Sequence, residues 1–402
     1  MFFKRNLIST DPLKIKEILE RGVEDVLVKE SLQARLASGK ELRIKLGFDP
    51  TGSKIHLGRA LVLWKLKAFQ DLGHKIVFIV GDFTARIGDP SDKLEKRPML
   101  TEQDIQKNLK GYKEQVGKIL DLRKVEFCFN STWLKKMSFN ETVNLAESFS
   151  VQQMSARRNF KERFDKGEEV SLREFLYPLM QGYDSVVVKS DVEIGGFDQL
   201  FNLKAGRTVQ KRYGMKEQDV LTTKMLLGTD GRKMSTSWGN VINITDEPGD
   251  MFGKVMSIKD ELISDYFLLC TNTSLSEIEE IKKQLAQGEN PRNIKIVLAF
   301  KIVELYYGGS KAEFAQKNFI QTFKKGGVPE DIQTIQVEKD SLFVDVLTNA
   351  GFISSKSDFR RLVVEGALAK LPEGRKITDP YGVAEEGDFK IGKRRFVRIV
   401  YK

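Results

Sequence analysis

Three short stretches of the chain contain the side chains best suited to chemistry: GFDPTGSKIHLGR (47–59), YPLMQGYD (177–184) and GRKMSTS (231–237). The first includes His56, one of only 2 histidines in 402 residues, together with Thr51 and several glycines. Histidine and threonine can donate hydrogen bonds to phosphate oxygens, and glycine lets a ligand approach the backbone closely. If this stretch leads from a strand into a helix, it predicts an anion site at the helix N-terminus. The alternative is that His56 simply caps the helix.

The other two stretches offer polar groups of a different kind. Tyr177, Gln181 and Asp184 are spaced i, i+4 and i+7, which puts them on one face of a helix. Apolar residues flank this polar stripe, so it is better explained as the wall of a pocket than as core and surface residues. GRKMSTS places two adjacent cations and three hydroxyls on a glycine-bounded loop. Such a loop can bind phosphate or can be a solvated surface turn.

The elements around the first stretch follow an α/β pattern. ELRIKLGF (41–48) and KIVFIV (75–80) have strand composition, and residues 61–72 between them repeat apolar side chains at helical spacing. A strand, turn, helix and strand in under fifty residues predict a βαβ unit and a parallel sheet. The stretch 47–59 is then the first strand-to-helix connection of that sheet.

Other patterns divide the chain into parts. We expect a helix over 12–40, helical segments over 99–175 and 250–320, strands within 185–199 and after 220, and a polar connection over 313–340. Residues 341–402 read as a small domain with two short helices and a final half-exposed strand. The expected domains are 1–245 with a helical insertion at about 99–175, a helical domain at 246–325, a linker at 326–340 and the small domain at 341–402.

Composition narrows the class of protein. The chain has 41% hydrophobic and 30% charged residues, as in ordinary globular proteins. Its net charge of +10 suits a polyanionic partner, but equally a basic surface without a particular partner. Cys128 and Cys270 form no CxxC unit, which argues against a structural zinc site or a disulfide framework and favours a reducing compartment. The N-terminal sequence lacks the apolar run of a signal peptide, and no window reaches membrane-span length. We therefore expect a cytoplasmic protein with no membrane association.

Longer motifs carry a resemblance to a known family. HLGR (56–59) resembles the HIGH signature and KMSTS (233–237) the KMSKS signature of class I aminoacyl-tRNA synthetases. GFDPTGSKIHLGR, IVGDFTARIGDPS, YPLMQGYDS and GGFDQLFN resemble bacterial tyrosyl-tRNA synthetases in the same order, and the C-terminal segment resembles their S4 RNA-binding domain. The resemblance covers nearly the whole chain. It implies an α/β fold: a Rossmann-type parallel-sheet catalytic domain with a helical insertion, then a helical domain and a small α+β S4-like domain.

The resemblance also implies a reaction and its partners. A tyrosine–tRNA ligase activates tyrosine with ATP, which arrives with Mg2+, to give tyrosyl-adenylate and pyrophosphate. It then transfers tyrosine to the 3′ end of tRNA(Tyr). No metal bound by the protein itself is implied. A homodimer is implied, with its interface at residues 145–165.

Site residues are carried over position by position. The catalytic contacts to the departing phosphates would come from Thr51, His56 and Lys233. The residues implied for ATP binding are Gly47, Asp49, Gly58, Arg59, Gly196, Asp198, Met234, Ser235 and Thr236. Those implied for tyrosine are Asp89, Tyr177 and Gln181 at the α-ammonium group, Gln199 near the carboxylate, and Asp184 at the phenol. Those implied for RNA are Lys356, Arg360, Arg361, Lys393, Arg394, Arg395 and Arg398.

Three positions depart from the family pattern. Arg59 ends the first signature, Thr236 replaces the second lysine of the other, and Lys45 stands where many tyrosyl enzymes have a tyrosine that touches the phenol. A second contact to the phenol is therefore left open. Two other readings are a tryptophanyl-tRNA synthetase, opposed by Asp184 and the GGFDQ stretch, and a related RNA-binding protein that has lost activation. The second is opposed by the retained pocket and phosphate-binding residues.

Overall fold

The computed structural model describes residues 8–91, 100–324, 332–371, 374–392 and 395–402. The chain forms two compact units, Met1–Thr245 with Ser264–Glu280, and Asp246–Ile263 with Ile281–Lys402. None of the described helices is long and apolar enough to cross a membrane.

The first unit is built on a mostly parallel sheet that, in the described residues, has 6 strands in the order β1-β6-β5-β2-β3-β4. These strands are β1 (Val23–Leu27), β2 (Arg43–Phe48), β3 (Lys75–Val80), β4 (Val125–Phe129), β5 (Val192–Gly196) and β6 (Asp219–Thr223). All neighbours are parallel except β1 and β6, which pair antiparallel. The chain leaves β2 to form β3 on one side, whereas β5 lies on the other side. Such a switch in strand order opens a crevice at the carboxyl ends of the strands, where α/β proteins bind their ligands.

Helices cover the sheet and form much of the second unit. Up to the end of the sheet they are α1 (Pro12–Glu20), α2 (Lys29–Ala37), α3 (Leu57–Asp71), α4 (Thr84–Ile87), α5 (Glu102–Leu109), α6 (Tyr112–Gly117), α7 (Ser131–Leu134), α8 (Phe139–Ala146), α9 (Val151–Ser155), α10 (Arg158–Asp165), α11 (Leu172–Val187) and α12 (Leu200–Arg212). They continue with α13 (Pro248–Met256), α14 (Ile263–Cys270), α15 (Leu275–Ala286), α16 (Pro291–Tyr307), α17 (Gly309–Lys324), α18 (Phe343–Asn349) and α19 (Lys356–Val364).

The second unit ends in a small mixed sheet with the strand order β7-β11-β10-β8-β9. Its strands are β7 (Gln333–Val337), β8 (Leu368–Leu371), β9 (Arg375–Lys376), β10 (Gly387–Ile391) and β11 (Arg395–Tyr401). Phe343 of α18, Phe359 of α19 and Phe389 of β10 meet in its buried core. This part of the chain therefore has a hydrophobic core of its own.

Helix α11 positions the polar stripe of YPLMQGYD. Ser171 immediately precedes it and forms a reciprocal capping box with Glu174. Its closest packing is against α12, where a Cβ on Gly182 would lie 2.8 Å from Val209 Cγ2 and 3.1 Å from the Ala205 carbonyl oxygen. Only glycine at position 182 allows the two helices to come this close. Their approach holds Gln181 and Asp184 in place.

Several sequence expectations need correction. The expected helix over 12–40 is interrupted by β1, because Gly22 turns the chain with φ of 63° and the following apolar residues pair with β6. The expected helical insertion over 99–175 contains β4, a strand of the main sheet, and residues 185–187 end α11 rather than begin a strand. In the expected polar connection over 313–340, α17 continues to Lys324 and β7 pairs with β11, so part of the expected linker belongs to the last sheet.

We predict that Gly182→Ala lowers the free energy of unfolding by about 1–3 kcal/mol, because the added methyl overpacks the α11–α12 contact. Thermal or urea unfolding of the full chain measures the change. Gly249→Ala is the matched control, since a Cβ on this helical glycine would meet no atom within 4 Å. Equal stability of the two variants would contradict the packing argument.

Candidate active site

One cavity of about 390 Å³ lies at the carboxyl ends of β2 and β5. It is lined by every residue that the sequence assigned to tyrosine, ATP or the phosphates: Gly47, Asp49, Thr51, His56, Gly58, Arg59, Asp89, Tyr177, Gln181, Asp184, Gly196, Asp198, Gln199, Lys233, Met234, Ser235 and Thr236. The fold thus brings together groups that lie up to 189 residues apart in sequence (from Gly47 to Thr236). A Cβ on Gly47 would meet nothing within 4 Å, so the backbone at this point faces open cavity.

Asp184 is a buried carboxylate with fixed hydrogen-bond donors. Trp133 Nε1 donates to its Oδ1 at 2.8 Å, and Asn130 Nδ2 donates to its Oδ2 at 3.3 Å. Burial raises the pKa of Asp184 to about 7, against a smaller opposing effect of Lys45. A carboxylate oxygen can accept more than one hydrogen bond, so this group can also accept one from a ligand in the cavity. A hydroxyl group is the natural partner.

Asp89 is the second buried carboxylate, and it accepts more hydrogen bonds. Its Oδ1 accepts from the Ser91 backbone N–H at 2.9 Å, from Ser91 Oγ at 2.6 Å and from Asn202 Nδ2 at 3.2 Å. Gln199 Nε2 donates to the other oxygen at 2.5 Å. The Arg157 guanidinium binds both Ser91 Oγ and Asn202 Oδ1, and so puts a positive charge behind this network. These donors fix the position of the Asp89 carboxylate, which suits an ammonium ligand.

Tyr177 is tied to Asp49, the third carboxylate of the cavity. Its hydroxyl donates to Asp49 Oδ2 at 2.9 Å, and Thr84 Oγ1 donates to Asp49 Oδ1 at 2.7 Å. Burial raises the pKa of Tyr177 well above its ordinary value, so the phenol stays protonated. A Cβ on Gly81 would lie 2.0 Å from Asp49 Oδ1, so the site requires glycine at this position. Because the Tyr177 hydroxyl donates its hydrogen to Asp49, its oxygen is left to accept a hydrogen bond from a ligand.

His56 immediately precedes α3, as expected, but its side chain makes no capping hydrogen bond. The imidazole is buried and its Nδ1 has no partner. Burial, followed by the charges of Arg59 and Lys233, lowers the pKa of His56 to about 3. The neutral ring can therefore donate one hydrogen bond at physiological pH but cannot supply a proton as an imidazolium. The capping alternative for this side chain is wrong.

The cation Arg59 at the end of the HLGR stretch also belongs to the cavity wall. Its Nη2 donates to Thr51 Oγ1 at 2.7 Å, and its guanidinium lies 4.9 Å from the centre of the Phe48 ring. The ring and the hydroxyl hold the side chain in the cavity wall, which His56 also lines.

Lys233 of the KMSTS loop also lines the cavity. Its Nζ contacts Asp198 Oδ2 at 2.8 Å. The loop is fixed by the Ser235 N–H, which donates to Asn240 Oδ1 at 2.8 Å, and by the Gly58 N–H, which points at Met234 Sδ at 3.4 Å. These contacts fix the loop against the start of α3 and keep Lys233 at the cavity.

Lys45 does not line the cavity. Its Nζ donates to the Gln181 carbonyl oxygen at 2.8 Å and to Ser185 Oγ at 2.7 Å, and it lies 2.9 Å from Glu193 Oε1. An ammonium group has three N–H donors, and these three contacts use them all. Lys45 is therefore not positioned to supply the second phenol contact.

The sequence patterns did not reveal the residues that support the carboxylates. Trp133 and Asn130 follow β4, and Asn202 lies on α12. Their polar atoms reach Asp184 and Asp89 only through long-range packing. Asn130 gave the clearest signal, since an asparagine directly after a strand at the carboxyl edge of a parallel sheet is well placed for a ligand site.

In the second unit, the basic residues expected to bind RNA lie on two elements. Lys356, Arg360 and Arg361 are on α19, and Arg395 and Arg398 are on β11. Lys393 and Arg394 lie outside the described residues. Asp388 forms a two-point contact with Arg398 at 2.6 and 2.9 Å, whereas the Arg360 guanidinium lies 5.3 Å from the centre of the exposed Tyr381 ring.

No group of three or more His, Cys, Asp or Glu side chains that could hold a metal ion occurs among the described residues.

Comparisons with known proteins agree with this site. Residues 37–324 match the family model for class I tRNA synthetases (W and Y). The fold and the site thus define a class I aminoacyl-tRNA synthetase. The tyrosine–tRNA ligase of Thermotoga maritima is 44% identical over 388 residues, which cover 95% of this chain and 96% of the relative. That of Photobacterium profundum is 43% identical over 387 residues, covering 96% of this chain and 98% of the relative. The chain belongs to the bacterial tyrosyl-tRNA synthetase family.

Solved structures share the fold. The tyrosyl-tRNA synthetase of Archaeoglobus fulgidus, complexed with L-tyrosine, has a TM-score of 0.60 at 21% identity and covers 76% of this chain and 99% of its own. A C-terminally truncated mitochondrial tyrosyl-tRNA synthetase from Aspergillus nidulans has a TM-score of 0.64 at 23% identity, covering 77% of this chain and 94% of its own. At this level of identity the likeness concerns the fold alone.

We predict that the KM for tyrosine rises as the pH falls from 8 to 6. The pKa of Asp184 is raised to about 7, so at pH 6 about 90% of the carboxyl groups in the free enzyme are protonated. A protonated carboxyl is a poorer acceptor for a phenol than a carboxylate is. The affinity for tyrosine therefore falls at low pH and is regained above pH 7. Tyrosine-dependent pyrophosphate exchange measures the effect.

The control for this pH dependence is Asp184→Asn. The variant has no titratable group at this position, so its KM is higher at every pH and flat between pH 6 and 8. A wild-type KM that is equally flat would contradict the assignment of Asp184 to the phenol.

Proposed function

We propose that the chain is a tyrosine–tRNA ligase, which joins tyrosine to ATP as tyrosyl-adenylate and then transfers it to tRNA(Tyr). The observation that carries the choice of tyrosine is the Asp184 carboxylate, buried at the cavity wall with Trp133 and Asn130 as its donors. Phenylalanine would offer no hydrogen bond to the side of this carboxylate that faces the cavity, and the loss of a hydrogen bond to a charged group costs about 1.5–3 kcal/mol. Tyrosyl enzymes are themselves the familiar example of this kind of discrimination.

The α-ammonium and carboxylate groups of tyrosine would be held by one charged side chain, Asp89, and by neutral polar side chains. Asp89 supplies the negative charge for the α-ammonium group, and the Tyr177 oxygen and the Gln181 amide oxygen accept its remaining hydrogen bonds. Gln199 lies next to Asp89 and would orient the substrate carboxylate. With the phenol at Asp184, tyrosine is fixed at both ends.

Activation needs no general base, because the substrate carboxylate is already ionised. Its oxygen attacks the α-phosphorus of ATP, the bond from that phosphorus to the bridging oxygen breaks, and pyrophosphate leaves. Catalysis then depends on positioning and on stabilising the charge of the transition state. The neutral His56 and Thr51 would donate to the departing phosphates, with the added charge of Arg59. Mg2+ would arrive bound to the ATP phosphates, as it usually does.

Lys233 would change partners when ATP binds. In the structure its ammonium contacts Asp198, which lies just before α12. Transfer of Lys233 to the phosphates would free the Asp198 carboxylate for the ribose hydroxyls. Gly47, Gly58 and Gly196 would leave room for adenosine against the backbone, and Met234, Ser235 and Thr236 would complete the loop over it. Thr236 offers a hydroxyl in place of a second cation, so Lys233 and Arg59 would carry the positive charge.

The last part of the second unit is the proposed S4-like RNA-binding domain. Its support is the basic set on α19 and β11, which suits contacts to phosphates of structured RNA. The proposed domain boundaries are those expected from the sequence, except that the domain begins with β7.

A homodimer is proposed through the helices around residues 145–165. Val151 is 71% exposed and Phe164 46%, and the nearby Phe139 and Leu172 are 84% and 83% exposed. Exposed large apolar side chains that form one patch are typical of an association surface. The proposed place of action is the cytoplasm, and the free thiols of Cys128 and Cys270 fit a reducing compartment.

The function is tested by pyrophosphate exchange into ATP, with tyrosine, tryptophan and phenylalanine offered separately and tRNA left out. We expect exchange with tyrosine alone. Exchange with tryptophan would contradict the assignment of Asp184. If folded protein that binds tRNA showed no exchange with any of the three, the chain would be an RNA-binding relative that has lost activation.

We predict that Arg360→Glu weakens tRNA binding severalfold at low salt and leaves tRNA-independent exchange unchanged, because Arg360 lies in the second unit. The slope of log affinity against log salt concentration should fall by about one for each RNA phosphate that the variant no longer neutralises. Lys14→Glu, an exposed residue of α1, makes the same charge change and serves as control. An equal effect of both substitutions would indicate net charge rather than a site.

A further inference from the structure

We propose that the buried ion pair of Lys45 and Glu193 is a positioning device for Gln181, and that it decides which end of the Gln181 amide faces the amino-acid pocket. The proposal rests on the function proposed above, in which the Gln181 amide oxygen accepts from the α-ammonium group of tyrosine. It gives Lys45 and Glu193 roles in substrate binding, although neither lines the cavity.

The pair joins the two central strands of the sheet beneath the pocket. Lys45 of β2 and Glu193 of β5 are register partners, and their charged atoms lie 2.9 Å apart. Both side chains are 0% exposed. Removing two charges from water is costly, and a pair kept in such a place needs further hydrogen bonds to both members.

Those further hydrogen bonds lead to Gln181. Lys45 donates to its backbone carbonyl oxygen at 2.8 Å, and Glu193 Oε1 accepts from its side-chain Nε2 at 3.0 Å. The remaining contacts of the pair go to Ser185 and Gln218, which donates to Glu193 Oε2. The backbone and the side chain of Gln181 are therefore both fixed by the pair.

The chemistry of a carboxylate sets the direction of the amide. An ionised carboxylate only accepts hydrogen bonds, so the Gln181 group that faces Glu193 must be the NH2. The amide oxygen is then the end left for the cavity, which Gln181 lines. With the amide reversed, its oxygen would meet the carboxylate and its NH2 would meet the substrate ammonium, and both contacts would be repulsive. Lys45 places its positive charge 2.9 Å from Glu193 Oε1, the oxygen that accepts from the Gln181 NH2, and so favours the productive orientation.

The test uses the full chain with both charges removed, Lys45→Met combined with Glu193→Met. Neutral side chains of similar length avoid the buried unpaired charge that either single substitution would leave. We expect the KM for tyrosine in pyrophosphate exchange to rise about tenfold or more, the loss expected for a hydrogen bond to a charged group. The kcat and the KM for ATP should stay within about twofold.

Two inhibitors separate positioning from general damage to the pocket. Tyramine keeps the ammonium group and lacks the carboxylate, whereas 3-(4-hydroxyphenyl)propionate keeps the carboxylate and lacks the ammonium group. We expect the Ki of tyramine to rise with the KM and that of the propionate to stay unchanged. Ser185→Ala is the matched control, because it removes a contact to each charge but none to the Gln181 side chain.

The proposal is overturned if the folded double variant keeps the wild-type KM for tyrosine and Ki for tyramine, or if both inhibitors weaken equally. If the double variant does not fold, Lys45→Gln combined with Glu193→Gln takes its place, since it also leaves no buried unpaired charge and its amide at position 193 can face Gln181 with either end. It should show the same inhibitor pattern with a smaller change, and an unchanged tyramine Ki would again overturn the proposal. Wild-type protein without tyrosine-dependent exchange would instead contradict the proposed function.

Discussion

The structure depends on burying carboxylates at the wall of a cavity with hydrogen-bond donors placed around them. An unpaired carboxylate removed from water is so unfavourable that it takes up a proton instead. Asp89 has four donors, whereas Asp184 has two donors and a pKa that burial raises to about 7. The difference in donors matches their proposed partners, an ammonium group at Asp89 and a phenol at Asp184.

Meeting that constraint requires donors from distant parts of the chain. Asn130 and Trp133 follow β4, Asn202 lies on α12, and Arg157 precedes α10. They converge because the strands are parallel and their carboxyl ends lie along one edge of the sheet. Gly81 and Gly182 then allow the close approaches that bring Asp49 beside its loop and α11 against α12. The fold therefore determines which donors surround each carboxylate of the site.

The parts of the fold that could be predicted from the sequence are those that local pattern determines. The βαβ unit around 47–59 and the helix that carries Tyr177, Gln181 and Asp184 are set by apolar periodicity and by glycine, both visible in one segment. By contrast, β1 and β7 are edge strands that depend on β6 and β11 for their hydrogen bonds, so local patterns indicated a helix and a linker there.

The same limit applies to the site. Residues within long motifs could be assigned by resemblance, and the fold brings them to one cavity. The orientation of Lys45 could not be predicted, because it depends on Glu193, which lies 148 residues further along the chain and pairs with it only in the sheet. Likewise Trp133 is unremarkable in sequence, and its contact with Asp184 arises from tertiary packing.

The most direct test of the account is a crystal structure of the protein with L-tyrosine bound. The account predicts the phenol oxygen within hydrogen-bond distance of an Asp184 carboxylate oxygen, and the ammonium group within that distance of Asp89 and the Gln181 amide oxygen. The Lys45 ammonium should still contact Glu193. A tyrosine bound in the reverse direction, or a phenol held by Lys45 rather than Asp184, would contradict it.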